Sequence, residues 1–343
     1  MKKLISLLLV LAMALTLVAC GGGNTTTTEA PAAASGDVKT YNVGVAIYQY
    51  NDNFMTLYRQ EIEDYFKTLE TDTVKYKVTM VDGKNDMGEQ TNQIDSFITQ
   101  KMDVIICNLV QTSSAEVIID KVVAAGIPLV LINREPLGDN GDESYPGIIN
   151  NPTVCYVGAD ARQSGTYQGE IVLALPNKGD IHGDGVVSYV MVVGDPENPD
   201  AQYRTEYSIK ALTDAGVQVK ELVKNVGNWD QTKGQEIVAA ALTQYGDEIE
   251  VVFCNNDGMA LGAAAAIEAA GRKVGEDIYL LGVDALDECQ EMVQKGTMTG
   301  TVLNDHIGQS HKAVDVAIQA LNGEPIDNYY WVDYVKVDAS YFG

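Results

Sequence analysis

The chain has 343 residues, with 23 Lys and Arg against 48 Asp and Glu and a formal net charge of −25 at pH 7. That balance excludes a nucleic-acid binder, because too few basic residues are present to displace counterions from phosphates. With 46% hydrophobic and 21% charged residues, the composition is that of a globular protein long enough for two cores, and disorder throughout is excluded.

The chain opens with Lys2 and Lys3, followed by Leu4 to Val18, apolar except for Ser6 and Thr16, and then Leu17-Val18-Ala19-Cys20. The apolar run is shorter than the roughly 20 residues of a spanning helix, and residues 1–19 read as an export signal. Small residues ahead of a cysteine resemble a bacterial lipoprotein signal, in which Cys20 becomes the lipidated N-terminus. The expectation is an exported protein held to the outer face of the cytoplasmic membrane by lipid alone. Residues 20–38 are rich in Gly, Thr, Ala and Pro and read as a flexible tether. Beyond them Cys107, Cys155, Cys254 and Cys289 show no close pair, so no disulfide framework is expected.

From Tyr41 short β-branched runs alternate with segments of helical period. Strands are expected near Val43 to Ile47, Lys77 to Val81, Val104 to Cys107 and Leu129 to Ile132. Ile94, Phe97 and Ile98, like Val117, Ile118 and Val122, recur on one helical face. After a Gly/Asn/Asp/Pro-rich loop, 138–152, a second set follows, with strands near Val186 to Val193, Val217 to Leu222, Val251 to Cys254 and Tyr279 to Val283. Repeated β-α predicts an α/β protein of two doubly wound, Rossmann-like domains with parallel sheets.

The halves repeat one another. Tyr41 to Ile47 followed by Asn51-Asp52-Asn53-Phe54 parallels Val187 to Val193 followed by Asn198-Pro199-Asp200-Ala201, and Val104 to Asn108 parallels Val251 to Asn256. Polar side chains just past parallel strands sit where such sheets hold ligands. Collecting them gives Asp52, Phe54, Asn108, Asp200, Arg204, Asn256, Asp284 and Asn304, with Trp229 in a loop. Acceptors, two-way amides, a rigid guanidinium fork and flat rings suit the hydroxyl rim and C–H faces of an uncharged sugar. Each residue also has a plain structural reading: Asp52, Asn53 and Asp200 as helix caps, Arg204 as an i, i+4 partner of Asp200, Asn108 and Asn256 as turn residues, and Phe54 and Trp229 as packing.

Several segments together, Tyr48 to Met55, Asn92 to Asp95, Asn108 to Val110, Pro199 to Thr205, Asn255 to Gly262, Gly282 to Leu286 and Gly300 to Asp305, resemble the periplasmic galactose/glucose-binding proteins over essentially the whole folded chain. The resemblance implies the type I periplasmic-binding-protein fold: two lobes joined by three hinge crossings, closing on one pyranose and delivering it to the permease of an ABC importer. It implies a monomer, with a chemoreceptor as a further partner. Phe54 and Trp229 would sandwich the ring, while Asp52, Asn108, Asp200, Arg204, Asn256, Asp284 and Asn304 bond its hydroxyls. Where the family has a histidine this chain has Asn198, which bears on the choice between glucose and galactose. Crossings are expected near residues 132, 304 and 323–327, giving one lobe of 40–132 plus 305–325 and another of 133–304 plus 326–343.

Asp180-Ile181-His182-Gly183-Asp184-Gly185-Val186-Val187-Ser188 resembles the first nine positions of an EF-hand-like loop. Oxygen donors from Asp180, Asp184, the Val186 carbonyl and Ser188 would wrap a structural Ca²⁺, and Glu250 stands where the family has a distant Glu. His182 at the third position departs from the pattern, since an imidazole suits so hard a cation poorly.

Phosphate loops, His-Glu-x-x-His and Gly-x-Ser-x-Gly are absent, and only three histidines occur. No enzyme is expected. Asp52 and Asp200 could be the carboxylate pair of an exported glycosidase, but so acidic a chain offers many such pairs. Within the binding class the alternatives are ribose or a furanose signalling molecule.

Overall fold

In the computed structural model the described residues are 38–138 and 144–343. The signal, Cys20 and the tether up to residue 37 lie outside them. In chain order the elements are β1 (Lys39–Ile47), α1 (Asn53–Thr68), β2 (Val74–Asp82), α2 (Met87–Thr99), β3 (Val104–Cys107), α3 (Ala115–Ala124), β4 (Leu129–Ile132), α4 (Pro146–Ile149), β5 (Val154–Gly158) and α5 (Ala161–Leu173). Then come β6 (Val186–Val193), α6 (Pro199–Asp214), β7 (Gln218–Val226), α7 (Gln231–Tyr245), β8 (Val251–Cys254), α8 (Asp257–Ala269), β9 (Tyr279–Leu281), α9 (Asp287–Lys295), β10 (Thr301–Leu303), α10 (His306–Leu321), β11 (Tyr329–Trp331) and β12 (Val335–Val337).

Two parallel sheets carry the fold, in orders β11-β5-β4-β3-β1-β2 and β7-β6-β8-β9. A short antiparallel pair, β10-β12, extends the second lobe through single bridges Leu281–Gly300 and Asp284–Leu303. The central strands Val104–Cys107, Leu129–Ile132 and Val251–Cys254 are apolar and buried at every position, as strands covered on both faces must be. The longer strands divide their side chains by alternation. In β1, Val43, Val45 and Ile47 pack with α1 and α10, while Ala46 faces α2 and α3. In β6, Val187, Tyr189, Met191 and Val193 pack with α5 and α6, while Val190 and Val192 face α7 and α8.

Strand order reverses at β1/β3 in one sheet and at β6/β8 in the other, so a crevice opens beyond the carboxyl ends of each. Helix caps stand on these ends. Asp52, Asn198 and Asn256 each accept a backbone N–H of the helix that follows, at 2.7, 3.0 and 2.9 Å.

The expected lobe boundaries shift. β5 pairs with β4 along Leu129–Val154 to Ile132–Val157, so the chain stays in the first lobe past 132 and leaves it only after Gly158. β11 pairs with β5, which moves the last crossing from 323–327 to beyond Trp331. The expected crossing near 304 falls in the segment between β10 and α10. β5 escaped sequence reading because it follows closely on the Gly/Asn/Asp/Pro-rich loop 138–152 and its pairing with β4 and β11 is non-local.

Candidate functional site

The two crevices face each other across a narrow cavity of about 30 Å³, lined by Tyr48, Asp52, Phe54, Met55, Asn133 and Arg134 from the first lobe and by Asn198, Asp200, Arg204, Trp229, Asn256, Asp284 and Asn304 from the second lobe and hinge. That is far below the roughly 300–1,000 Å³ usual for small-molecule sites, so in this conformation the facing walls nearly touch.

In the first lobe Asp52 does two things at once. Oδ1 caps α1 through Met55 N, and Oδ2 accepts the Tyr48 hydroxyl at 2.8 Å. Its orientation at the cavity wall is thereby set by backbone and side chain together. Arg134, two residues past β4, is 2% exposed and stacks its guanidinium on the Tyr48 ring, 3.8 Å from the centroid.

In the second lobe Arg204 is the hub. Nη2 donates to Asp200 Oδ2 at 3.1 Å and to the Tyr334 hydroxyl at 3.0 Å, and Nη1 donates to the Asn255 carbonyl at 2.9 Å. Asp284 accepts from Asn304 Nδ2 at 3.3 Å, and Gln309 donates to Asn304 Oδ1 at 2.6 Å. Asp284 and Ala285 hold φ of +124° and +54°, a conformation that costs a non-glycine residue energy. Asp257 clamps it in place: Oδ2 accepts Leu286 N at 2.8 Å, and Oδ1 accepts the Thr301 hydroxyl at 2.7 Å. Asn228 and Trp229 are likewise left-handed, at +50° and +66°, and Asn256 Nδ2 donates to the Trp229 carbonyl at 3.3 Å. A Cβ on Gly194 would fall 2.2 Å from the indole, so only glycine lets the ring lie there.

Burial raises the carboxyl pKa of Asp200, with Arg204 and Arg134 pulling against it, and pushes that of Asp284 well up against the pull of Arg204. Three side-chain N–H groups at the cavity residues are buried without a partner: Arg134 Nε, Arg204 Nε and Trp229 Nε1. A buried donor left unpaired costs free energy, so each is a place for a ligand acceptor.

Of the residues named from sequence, Asp52, Phe54, Asn198, Asp200, Arg204, Trp229, Asn256, Asp284 and Asn304 come together here. Asn108 does not. It is fully buried below the floor, where Oδ1 accepts Tyr48 N at 3.3 Å and Nδ2 donates to the Ile132 carbonyl at 3.2 Å and Asn133 Oδ1 at 3.1 Å. It ties the ends of β1 and β4 together. Sequence reading missed Tyr48, Met55, Asn133 and Arg134. Asn133 and Arg134 follow a buried strand directly, the same signal that marked Asn108 and Asn256.

The loop expected to hold calcium closes on its own backbone. Asp180 accepts the N–H groups of Gly183, Asp184 and Gly185, and Asp184 accepts that of Val186. Glu250, 1% exposed, accepts Ile181 N at 2.7 Å, His182 N at 3.0 Å and Ser188 N at 2.8 Å, with His182 Nδ1 at 3.0 Å from the same carboxylate. Among the described residues no three His, Cys, Asp or Glu side chains converge as a metal-holding group. In this conformation the carboxylates of Asp180, Asp184 and Glu250 accept loop N–H groups and His182 stands beside Glu250, so a calcium shell from Asp180, His182, Asp184, Val186, Ser188 and Glu250 would require these side chains to turn towards the ion.

Two doubly wound lobes, a polar cavity between facing strand ends and a backbone that passes between them more than once are the architecture of a solute-binding protein. Residues 43–325 match the periplasmic binding protein domain, and the chain belongs to that family, with the type I fold. It is 34% identical over 315 residues to the D-galactose/methyl-galactoside binding periplasmic protein MglB of Haemophilus influenzae, covering 88% of this chain and 90% of the relative. It is 31% identical over 297 residues to a putative rhizopine-binding protein of Rhizobium meliloti, covering 86% and 89%. Among solved structures, an ABC transporter solute binding protein from Bacillus halodurans with bound myo-inositol superposes with a TM-score of 0.74 at 28% identity, covering 89% of this chain and 96% of that one.

Proposed function

We propose that the protein captures a monosaccharide, D-glucose or D-galactose, by closing its lobes around it, and delivers it to the permease of an ABC importer. The observation that carries the reading is the cavity wall. Asp52, Asp200 and Asp284 outnumber Arg134 and Arg204, and both arginines already have carboxylate partners, Asp195 and Asp200. A surplus of acceptors disfavours an anionic ligand and suits hydroxyl donors, while Phe54 and Trp229 supply apolar faces for C–H groups. The relatives named above are solute-binding proteins, and the mechanism needs no chemistry: a ligand that touches both lobes only when they are closed shifts the population towards closure. Cys20 is the proposed lipid anchor, and the folded part is proposed to act as a monomer, with a chemoreceptor as a further reader of the closed form.

A cyclitol is the second reading, favoured by the solved neighbour with bound myo-inositol. Thermal unfolding with glucose, galactose, ribose and myo-inositol separates them. A ligand bound only by the native state stabilises it by about 4 kcal/mol at a thousandfold excess over Kd. A shift with glucose or galactose alone supports the first reading, a shift with inositol alone moves the specificity, and no shift with any of them refutes sugar capture.

A further inference from the structure

The cavity is bridged by a contact that the ligand-binding reading does not use. Arg134 belongs to the first lobe, at the end of β4, and Asp195 to the second, two residues past β6. Arg134 Nη1 donates to Asp195 Oδ2 at 3.1 Å, with the side chains 2% and 17% exposed. Both ends are held in advance. Nη1 also donates to the Val110 carbonyl, and the guanidinium is stacked on Tyr48. Asp195 Oδ1 accepts Glu197 N at 3.0 Å, and the Asp195 carbonyl accepts Asn198 N at 3.0 Å, within the turn that leads into α6.

We propose that Arg134 and Asp195 form a cross-cleft latch that sets ligand affinity by setting how easily the lobes close. The pair exists only while the lobes are together, so it favours the closed form whether or not ligand is present. Apparent affinity scales with the fraction of molecules already competent to bind, and a charge-assisted hydrogen bond with one end buried is worth far more than an exposed pair. Arg134 acts on the cavity as well: its stack fixes Tyr48, and the Tyr48 hydroxyl fixes Asp52. Asp195 does not line that cavity but stands at the opening beside it with Tyr48, Asp52, Arg134 and Trp229, so ligand-free scattering is the readout that separates its effect on closure from any effect on the cavity through Arg134.

The affinity half of the proposal rests on the sugar-binding reading, and the experiment keeps the two apart. Wild type, Asp195→Asn, Arg134→Met and the double variant are compared by small-angle X-ray scattering without ligand and by calorimetric titration with glucose and galactose. Asp195→Asn is expected to be more open than wild type without ligand and to bind roughly tenfold more weakly, by analogy with other cross-interface charge pairs. In the Arg134→Met background the same change is expected to have almost no further effect. An Asp195→Asn protein with wild-type scattering and wild-type Kd overturns the latch. If wild type binds neither sugar, the functional reading fails, and the ligand-free scattering alone then decides the latch.

Discussion

Asp52, Asn198 and Asn256 are at once caps and cavity wall; at Asp52 this double use is why sequence reading could not choose between the two roles, while the cap it weighed at Asp200 is made by Asn198, and Asn256, read as a turn residue, caps α8. An N-cap side chain is pinned by backbone N–H groups, which also aims its remaining valences at the space beyond the strand ends. Asp284 is held instead by strain and by Asp257, and replacing it by Ala is expected to weaken sugar binding by roughly 10- to 150-fold, the worth of a hydrogen bond to a charged group. Calorimetry checks this, and circular dichroism should report an unchanged fold. Asn198→His is expected to lower stability by about 1 kcal/mol through loss of the cap to Asp200 N and to change the ratio of glucose to galactose affinity, read by paired titrations. Asp257 is fully buried, and burial pushes its carboxyl up to about 6, with Thr301 and Leu286 pulling it back. Its folded pKa thus lies above the roughly 3.9 of the unfolded chain, so the folded state holds the extra proton between about pH 4 and 6. Stability from this group is greatest at the acid end and falls as pH rises through that window. The stability of Asp257→Asn relative to wild type should therefore climb across the window by up to about 3 kcal/mol. Denaturant titration of both proteins from pH 4 to 7 tests it, and parallel profiles would refute it.

At the scale of elements, the 180–188 loop illustrates what a motif leaves undetermined. Its spacing of Asp180, Asp184 and Ser188 was legible, but the use of Glu250 was not, because Glu250 arrives from the start of β8. With its carboxylates accepting loop N–H groups in this conformation, excess chelator is expected to leave the midpoint of thermal unfolding unchanged. Glu250→Ala, by contrast, leaves the N–H groups of Ile181, His182 and Ser188 without their acceptor and should cost at least about 2 kcal/mol. A chelator-induced fall in the midpoint would restore the calcium reading. The strands tell a similar story. β3, β4, β6 and β8 were readable to the residue because each is an apolar run, broken only by Ser188 in β6, whereas β5 and β11 take their place in the sheet through non-local pairing, β5 with β4 and β11 with β5.

For the whole molecule, hinge closure is the motion proposed for ligand capture, and the three segments beyond Gly158, Leu303 and Trp331 are where the backbone would absorb it. Scattering with saturating sugar is expected to give a smaller radius of gyration than without it, and an unchanged radius would argue against hinge closure. The alternation of apolar strands and periodic helices determined from sequence alone that the chain forms two doubly wound lobes, since burial on both faces admits few other architectures. Chemistry at the strand ends was legible too, because turns and caps are local. The assignment of Val154–Gly158 and Tyr329–Trp331 to the first lobe, the retreat of Asn108 below the floor, and the arrival of Arg134 opposite Asp195 were decided only by tertiary structure. Each depends on which distant segments the chain brings together, and no local pattern of residues encodes that pairing.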